Sequence, residues 1–268
     1  MNQISESITS RQNPRIKNLV RLQKHSERIK QQVVVIEGIK EIQKSLLAGY
    51  TIESVFFHPQ LIDRDSVAKL FRSALPEKIF SVTDDVYKKI AYRENSGGLI
   101  VIAEAKGHTI QSLVLPENPL ILVIEGLEKP GNLGAIYRTA EAAGIDAVII
   151  CNPKTDLYNP NAIRASLGCV FIMPTAMTTS PEAIKWLKDQ NIRIYCTSLT
   201  ATVPYHTVDF TKPSAIVMGT EATGISDVWL EESHAHIIIP MRGKTDSMNV
   251  SVSTAVIIFE ACRQRNLI

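Results

Sequence analysis

Ile237-Ile238-Ile239-Pro240-Met241-Arg242-Gly243-Lys244-Thr245-Asp246-Ser247-Met248-Asn249-Val250-Ser251 is the most informative segment of the chain. An apolar run of strand type enters a polar, glycine-containing loop. The loop delivers Ser247 and Asn249 to the start of a helix expected to end near Arg265. A helix N-terminus leaves backbone N–H groups without intrahelical partners, so such a junction can meet a polar or anionic ligand. Two earlier segments repeat the pattern. Leu120–Gly126 leads through Lys129-Pro130-Gly131-Asn132 into a helix carrying Arg138, and Ala215–Met218 leads into Gly219-Thr220-Glu221-Ala222-Thr223-Gly224. Three strand-to-loop junctions in one chain point to a single composite site.

Outward from these junctions, short apolar runs recur at 120–124, 147–151, 170–173, 192–196, 215–218 and 236–239, with helical segments between most of them. That alternation predicts an α/β domain with an open, mostly parallel sheet covered by helices on both faces. Its first helix is expected over 133–143, with Asn132 as cap and Gly144 as stop, and another over 181–189 opening on Pro181 and Glu182. Before residue 105 the pattern differs. A helix is expected over 10–31, capped by Ser10 or Asn13 with Pro14 early in it, followed by strands at Val33–Ile36, Ser54–Phe57, Ile79–Val82 and Leu99–Ala103. This reads as a smaller α/β domain at 1–105, a polar linker at 106–117 and the larger domain at 118–268.

The 268 residues allow one or two domains, and 45% hydrophobic residues suffice for ordinary cores. No apolar run approaches the ~18 residues that span a bilayer. The polar first ten residues lack a signal-peptide core, so no membrane partner and a cytoplasmic location are expected. Cys151, Cys169, Cys196 and Cys262 form no CxxC pair and no cluster with histidine, which predicts buried free thiols and no metal. His206, His234 and His236 likewise lack ligand spacing. A net charge of +2 is uninformative, but Arg11, Arg15, Lys17, Arg21, Lys24, Arg28 and Lys30 oppose only Glu6 and Glu27 in the first 32 residues. Such a surplus either contacts phosphates or is a solvated helix face. No G-x-G-x-x-G follows a strand, which argues against a dinucleotide enzyme.

The three junctions together resemble the motifs of the SPOUT superfamily of RNA methyltransferases, in its TrmH/SpoU branch. The matching residues are Asn132, Gly134, Arg138, Thr139 and Ala140; Gly219, Glu221 and Gly224; and Ile239, Pro240, Met241, Gly243, Ser247, Asn249, Val250 and Ser251. Arg164-Ala165-Ser166-Leu167-Gly168 followed by Pro174 is a subsidiary match. Ala222, Met248 and Ser253 depart from the usual glycine, leucine and alanine. The first domain more loosely resembles a ribosomal-protein-like substrate-binding domain, through Ser10-Arg11-Gln12-Asn13-Pro14-Arg15-Ile16-Lys17 and Ile36-Glu37-Gly38.

The resemblance implies a trefoil-knotted C-terminal domain. It implies S-adenosylmethionine-dependent methylation of a ribose 2′-hydroxyl in RNA, without a metal, by a homodimer formed through that domain. Large-subunit ribosomal RNA is the preferred substrate, because the N-terminal half looks like that of ribosomal-RNA-acting members. Transfer RNA, or a non-catalytic RNA-binding paralogue, are the alternatives. By motif position Asn132, Arg138, Glu221, Ser247 and Asn249 are the catalytic set, Thr197, Leu199, Gly219, Ile239 and Met248 meet the cofactor, and Arg11, Arg15 and Lys17 meet RNA. Arginine stays protonated in proteins, so Arg138 is better suited to hold a phosphate and favour a ribose alkoxide than to remove a proton.

Overall fold

The computed structural model describes residues 6–71, 76–92, 97–220 and 223–268. In chain order they form β1 (Ser7–Ile8), α1 (Pro14–Arg21), α2 (His25–Gln31), β2 (Val33–Glu37), α3 (Ile39–Leu47), β3 (Ile52–Phe57), α4 (Arg64–Phe71), β4 (Ile79–Val82), α5 (Asp84–Ile90) and β5 (Leu99–Glu104). There follow β6 (Leu120–Glu125), α6 (Pro130–Ala142), β7 (Ala147–Cys151), α7 (Pro160–Ala165), α8 (Cys169–Ile172), β8 (Thr175–Thr178), α9 (Ser180–Asp189) and β9 (Arg193–Thr197). The chain ends with β10 (Val203–Pro204), β11 (Ser214–Met218), α10 (Asp227–Glu232), β12 (Ala235–Ile238) and α11 (Val250–Gln264). Two compact units result. One takes the chain up to Gly107 together with Tyr158–Ile172, the other His108–Leu157 together with Met173–Ile268.

The first unit holds a five-stranded sheet in the order β1-β4-β3-β5-β2, with β5 antiparallel to both its neighbours. Ile16, Leu19 and Leu22 of the N-terminal region pack with Phe56, Phe80 and Ile100 in its core. The expected helix over 10–31 is in fact two. Asn13 caps α1 by accepting from Arg15 N at 2.9 Å, with Pro14 as the first helical residue. The chain then breaks at residues 22–24, where the buried Arg28 guanidinium takes the Leu22 and Gln23 carbonyls at 2.7 and 3.0 Å. Those carbonyls are satisfied without helix continuation, which is what a break in the middle of the segment needs.

A second correction concerns residues 170–173. They were expected as a strand but lie mainly in the short helix α8, and the strand is β8, downstream. Leu167 and Gly168, at φ 52° and 79°, turn the chain into α8, and Phe171 packs edge-on against Tyr50. A short apolar run has the same composition in a buried helix and a buried strand, so periodicity could not separate them.

The second unit is built on a seven-stranded sheet in the order β10-β12-β9-β11-β6-β7-β8, parallel at every described pairing. Its central strands β6, β7 and β11 are buried along their whole length, as expected for a parallel sheet covered on both faces. Strand β12 lies outside β9, yet the helix that follows it, α11, packs on α6 and β11. The C-terminal segment therefore returns from the sheet margin toward its centre. Arg265 fastens the end of that helix by donating to the carbonyls of Phe210, Asn118, Pro119 and Lys212 at 2.6–3.1 Å.

Candidate active site

Strand β11 ends against a loop that only glycine permits. A Cβ placed on Gly219 would lie 2.3 Å from the carbonyl carbon of Gly224, closer than any side chain can approach. The two segments meet because Thr220 and Gly224 exchange backbone hydrogen bonds of 2.9 and 3.1 Å. Thr223 N also donates to Thr220 Oγ1 at 2.9 Å. Glu221, expected in the catalytic set, and Ala222 beside it lie outside the described residues. Next to this loop, Thr197 at the end of β9 donates to Val217 O at 2.9 Å, tying the ends of β9 and β11 together.

Between these strand ends and the segment after β12 lies a cleft of about 470 Å³. Thr197, Leu199, Gly219, Ile239 and Met248, the five residues expected at the cofactor, all line it. Ser247 lines it too. Apolar side chains of Leu230, Ile237 and Ile257 supply an oily surface, while Thr220, Thr223, Asp227 and Ser253 add polar groups that the motifs did not single out. A cavity that mixes apolar side chains with placed polar groups suits a flat heteroaromatic ring carrying polar substituents.

The helix N-termini converge beside that cleft in a way the sequence did not foresee. Asn132 does not cap α6. Lys129 is the cap residue, Pro130 the first helical residue, and Asn132 already lies within the first turn. Proline's fixed φ favours the first helical position, so it draws the start two residues upstream. Asn132 is thereby released for another task, accepting from Asn249 Nδ2 at 3.2 Å. Asn249 does cap α11, its Oδ1 accepting from Ser251 N at 2.9 Å and Ser251 Oγ at 2.6 Å. Ser247 is exposed two residues earlier, 3.3 Å from Asp246 Oδ1.

Arg138 is exposed and, among the described residues, has no hydrogen-bond or ion-pair partner. Six helical residues beyond Asn132 place it about 9 Å along α6 and about 240° around it. The structure thus pairs Asn132 with Asn249, and no described residue bonds to the Arg138 side chain. Arg11 and Arg15 are already engaged. Arg11 pairs with Asp85, and Arg15 lies 3.4 Å from Glu6 and 4.6 Å from the Phe80 ring centre. Lys17 is exposed on α1.

All four cysteines are free and buried, and burial pushes the Cys151 and Cys196 thiols up to about 12. They are packing residues, not nucleophiles. No group of metal-ligating side chains occurs among the described residues. No helix of the described chain is long and apolar enough to cross a membrane.

Residues 119–259 match the SpoU rRNA Methylase family, and residues 13–101 match the MRM3-like substrate binding domain. A 23S rRNA (guanosine(2553)-2′-O)-methyltransferase of Bacillus subtilis is 24% identical over 95% of this chain and 98% of its own length. A crystal structure of an RNA 2′-O ribose methyltransferase is 38% identical, with a TM-score of 0.84 over 97% of this chain and 99% of that one. An AdoMet-bound rRNA methyltransferase from Sinorhizobium meliloti is 28% identical, with a TM-score of 0.88 over 97% and 98%.

Proposed function

The chain belongs to the SpoU rRNA methylase family, and from that premise we propose that it is an S-adenosylmethionine-dependent methyltransferase acting on a ribose 2′-hydroxyl of large-subunit ribosomal RNA. The observation that carries this reading is the single cleft lined by Thr197, Leu199, Gly219, Ile239 and Met248, with Ser247 on its wall. When bound there, S-adenosylmethionine supplies a methyl group on a positively charged sulfur. Leu230, Ile237 and Ile257 would hold its apolar parts, and the backbone at Gly219, Ile239 and Met248 would supply hydrogen-bonding groups to it.

The chain's own residues prepare the acceptor. Asn249 and Asn132, joined by their side-chain bond, hold the ribose and its neighbouring phosphate at the mouth of two helices, where the helix dipoles favour negative charge. Arg138 binds a phosphate and lowers the cost of the alkoxide that attack requires. Ser247 hydrogen-bonds the ribose, and Glu221 orients Arg138 or Asn132 or receives the hydroxyl proton. By fixing the ribose, these residues would lower the entropic cost of bringing its hydroxyl into line for attack.

Residues 1–105 serve as the RNA-recognition domain, 106–117 as the linker and 118–268 as the methyltransferase domain. Lys17, and Arg11 and Arg15 after exchanging their internal partners, contact phosphates. Val252 and Phe259 of α11 are 48% and 38% exposed, and with Val256 they form an apolar stripe at helical spacing. A second copy of the chain covers that stripe. A cytoplasmic location is part of the same proposal, supported by the ribosomal-RNA substrate it names. The test supplies purified protein with labelled S-adenosylmethionine and fractionated RNA from cells lacking the gene. Label should enter large-subunit ribosomal RNA. Label confined to transfer RNA would overturn the substrate assignment.

A further inference from the structure

We infer that Glu125 is a positioning residue for the cleft: its buried carboxylate fixes the turn at Gly224–Ser226 where the cofactor needs it. Glu125 ends β6, next to β11 in the sheet, and is 6% exposed. Its Oε1 accepts from Ser226 Oγ and from Ser180 Oγ, each at 2.6 Å, and its Oε2 accepts from Ser226 N at 2.8 Å. Ser180 Oγ in turn accepts from Asn152 Nδ2 at 2.9 Å. A buried carboxylate is tolerable only with its lone pairs filled, and here two elements distant in sequence fill them.

The geometry gives the bond to Ser226 a consequence at the site. Gly224 and Ile225, immediately before Ser226, and Asp227, immediately after it, all line the cleft. Gly126, immediately after Glu125, sits against the same loop, since a Cβ there would lie 3.1 Å from Thr220 Cγ2. Glu125 itself does not line the cleft. It acts through Ser226, whose displacement would shift three lining residues at once. Ser180 braces the carboxylate from α9, away from the cleft, and so provides an internal control.

This inference rests on the cleft being the S-adenosylmethionine site, and the test separates the two. Calorimetric cofactor titration is run on the wild type and on Glu125→Gln, Ser226→Ala and Ser180→Ala, with folding checked by circular dichroism. In Glu125→Gln the amide oxygen can keep the Ser226 N–H only by turning its N–H₂ toward the Ser180 and Ser226 hydroxyls, which then lose their acceptor, and in either orientation the charge is lost from every bond. Loss of a hydrogen bond to a charged group commonly costs about tenfold or more in an equilibrium constant. Glu125→Gln should therefore weaken cofactor binding about tenfold or more, while the methylation rate at saturating cofactor stays near that of the wild type. Ser226→Ala should weaken binding less, because it keeps the backbone bond. It carries the test if Glu125→Gln does not fold. Ser180→Ala should lower the melting temperature and leave affinity unchanged. Wild-type affinity in folded Glu125→Gln and Ser226→Ala, or an equal loss in Ser180→Ala, would overturn the inference. Failure of the wild type to bind S-adenosylmethionine would instead overturn the cleft assignment.

Discussion

Asn249 Nδ2 donates to Asn132 Oδ1 at 3.2 Å, across 117 residues of sequence. This bond joins the first turn of α6 to the cap of α11. It brings the first and third strand-to-loop junctions into one place, beside the cleft that the second junction helps to line. Asn249 thereby serves two ends at once, since its oxygen is committed to the α11 cap while its amide N–H₂ reaches Asn132.

Arg138→Ala should abolish methylation while leaving S-adenosylmethionine affinity nearly intact, because Arg138 is exposed on α6 and does not line the cleft. An electrostatic contact made in the transition state contributes about 3 kcal/mol, or over a hundredfold in rate. Arg138→Lys should also be poor, since a lysine cannot present two parallel donors to a phosphate. Single-turnover kinetics at saturating cofactor checks this. Near-normal turnover by the alanine variant would remove Arg138 from the mechanism.

Gly219→Ala should disable the cleft without exposing the core. The added Cβ would sit 2.3 Å from Gly224 backbone atoms, so the Thr220–Gly224 pairing must open to admit it. Cofactor titration should show affinity falling by at least about tenfold, a loss of about 1.4 kcal/mol. Gly243→Ala is the control, because a Cβ there meets nothing within 4 Å.

The first helix makes a graded prediction. Each lost phosphate contact lowers the magnitude of the salt slope of log affinity by about 0.7–0.9. Lys17→Ala should show that full effect at no cost in stability. Arg11→Ala and Arg15→Ala should lose less RNA affinity and some stability, since both side chains already hold internal partners. RNA titration at several salt concentrations, beside thermal melts, reads both quantities. An unchanged slope in the triple variant would make α1 a solvated face only.

Glu260 supplies a pH prediction of definite sign. Hydrogen bonds from Arg263 and then Gln264 hold its carboxyl at about 2, below the usual 4.5. A depressed carboxylate stabilises the fold above its unfolded value and loses that contribution as pH falls through its folded value. Glu260→Gln should therefore be less stable than wild type at pH 7. The gap should close between about pH 4.5 and about pH 2. Denaturant melts across that range test it, and a gap independent of pH would show that the charge is not involved.

Particular residues show how far the sequence could be read. The longer strands were legible because they are compact apolar runs, and the parallel sheet follows from their alternation with helices, whereas β1, β8 and β10 were missed because they are too short or too polar to show such a run. Thr197, Leu199, Gly219, Ile239 and Met248 were named from motif position, and they share one cleft. Asn132 was misread as a cap because asparagine favours that position, whereas Pro130 starts the helix earlier and frees Asn132 to bond Asn249. Glu125 was missed because a glutamate closing an apolar run reads as the exposed end of a strand. Its donors stand 55 and 101 residues away, where no local pattern can signal them. The engagement of Arg15 with Phe80 was invisible for the same reason, as only the sheet brings β4 beneath α1.

Methyl transfer to a ribose oxygen leaves its record on the RNA product. Ribosomal RNA from cells lacking the gene is incubated with the purified protein and methyl-labelled S-adenosylmethionine, then digested to nucleosides and analysed by mass spectrometry. One labelled 2′-O-methyl nucleoside is expected, absent without the cofactor and absent with Arg138→Ala. Label on a base, or no label from a wild-type protein that binds S-adenosylmethionine, would contradict it.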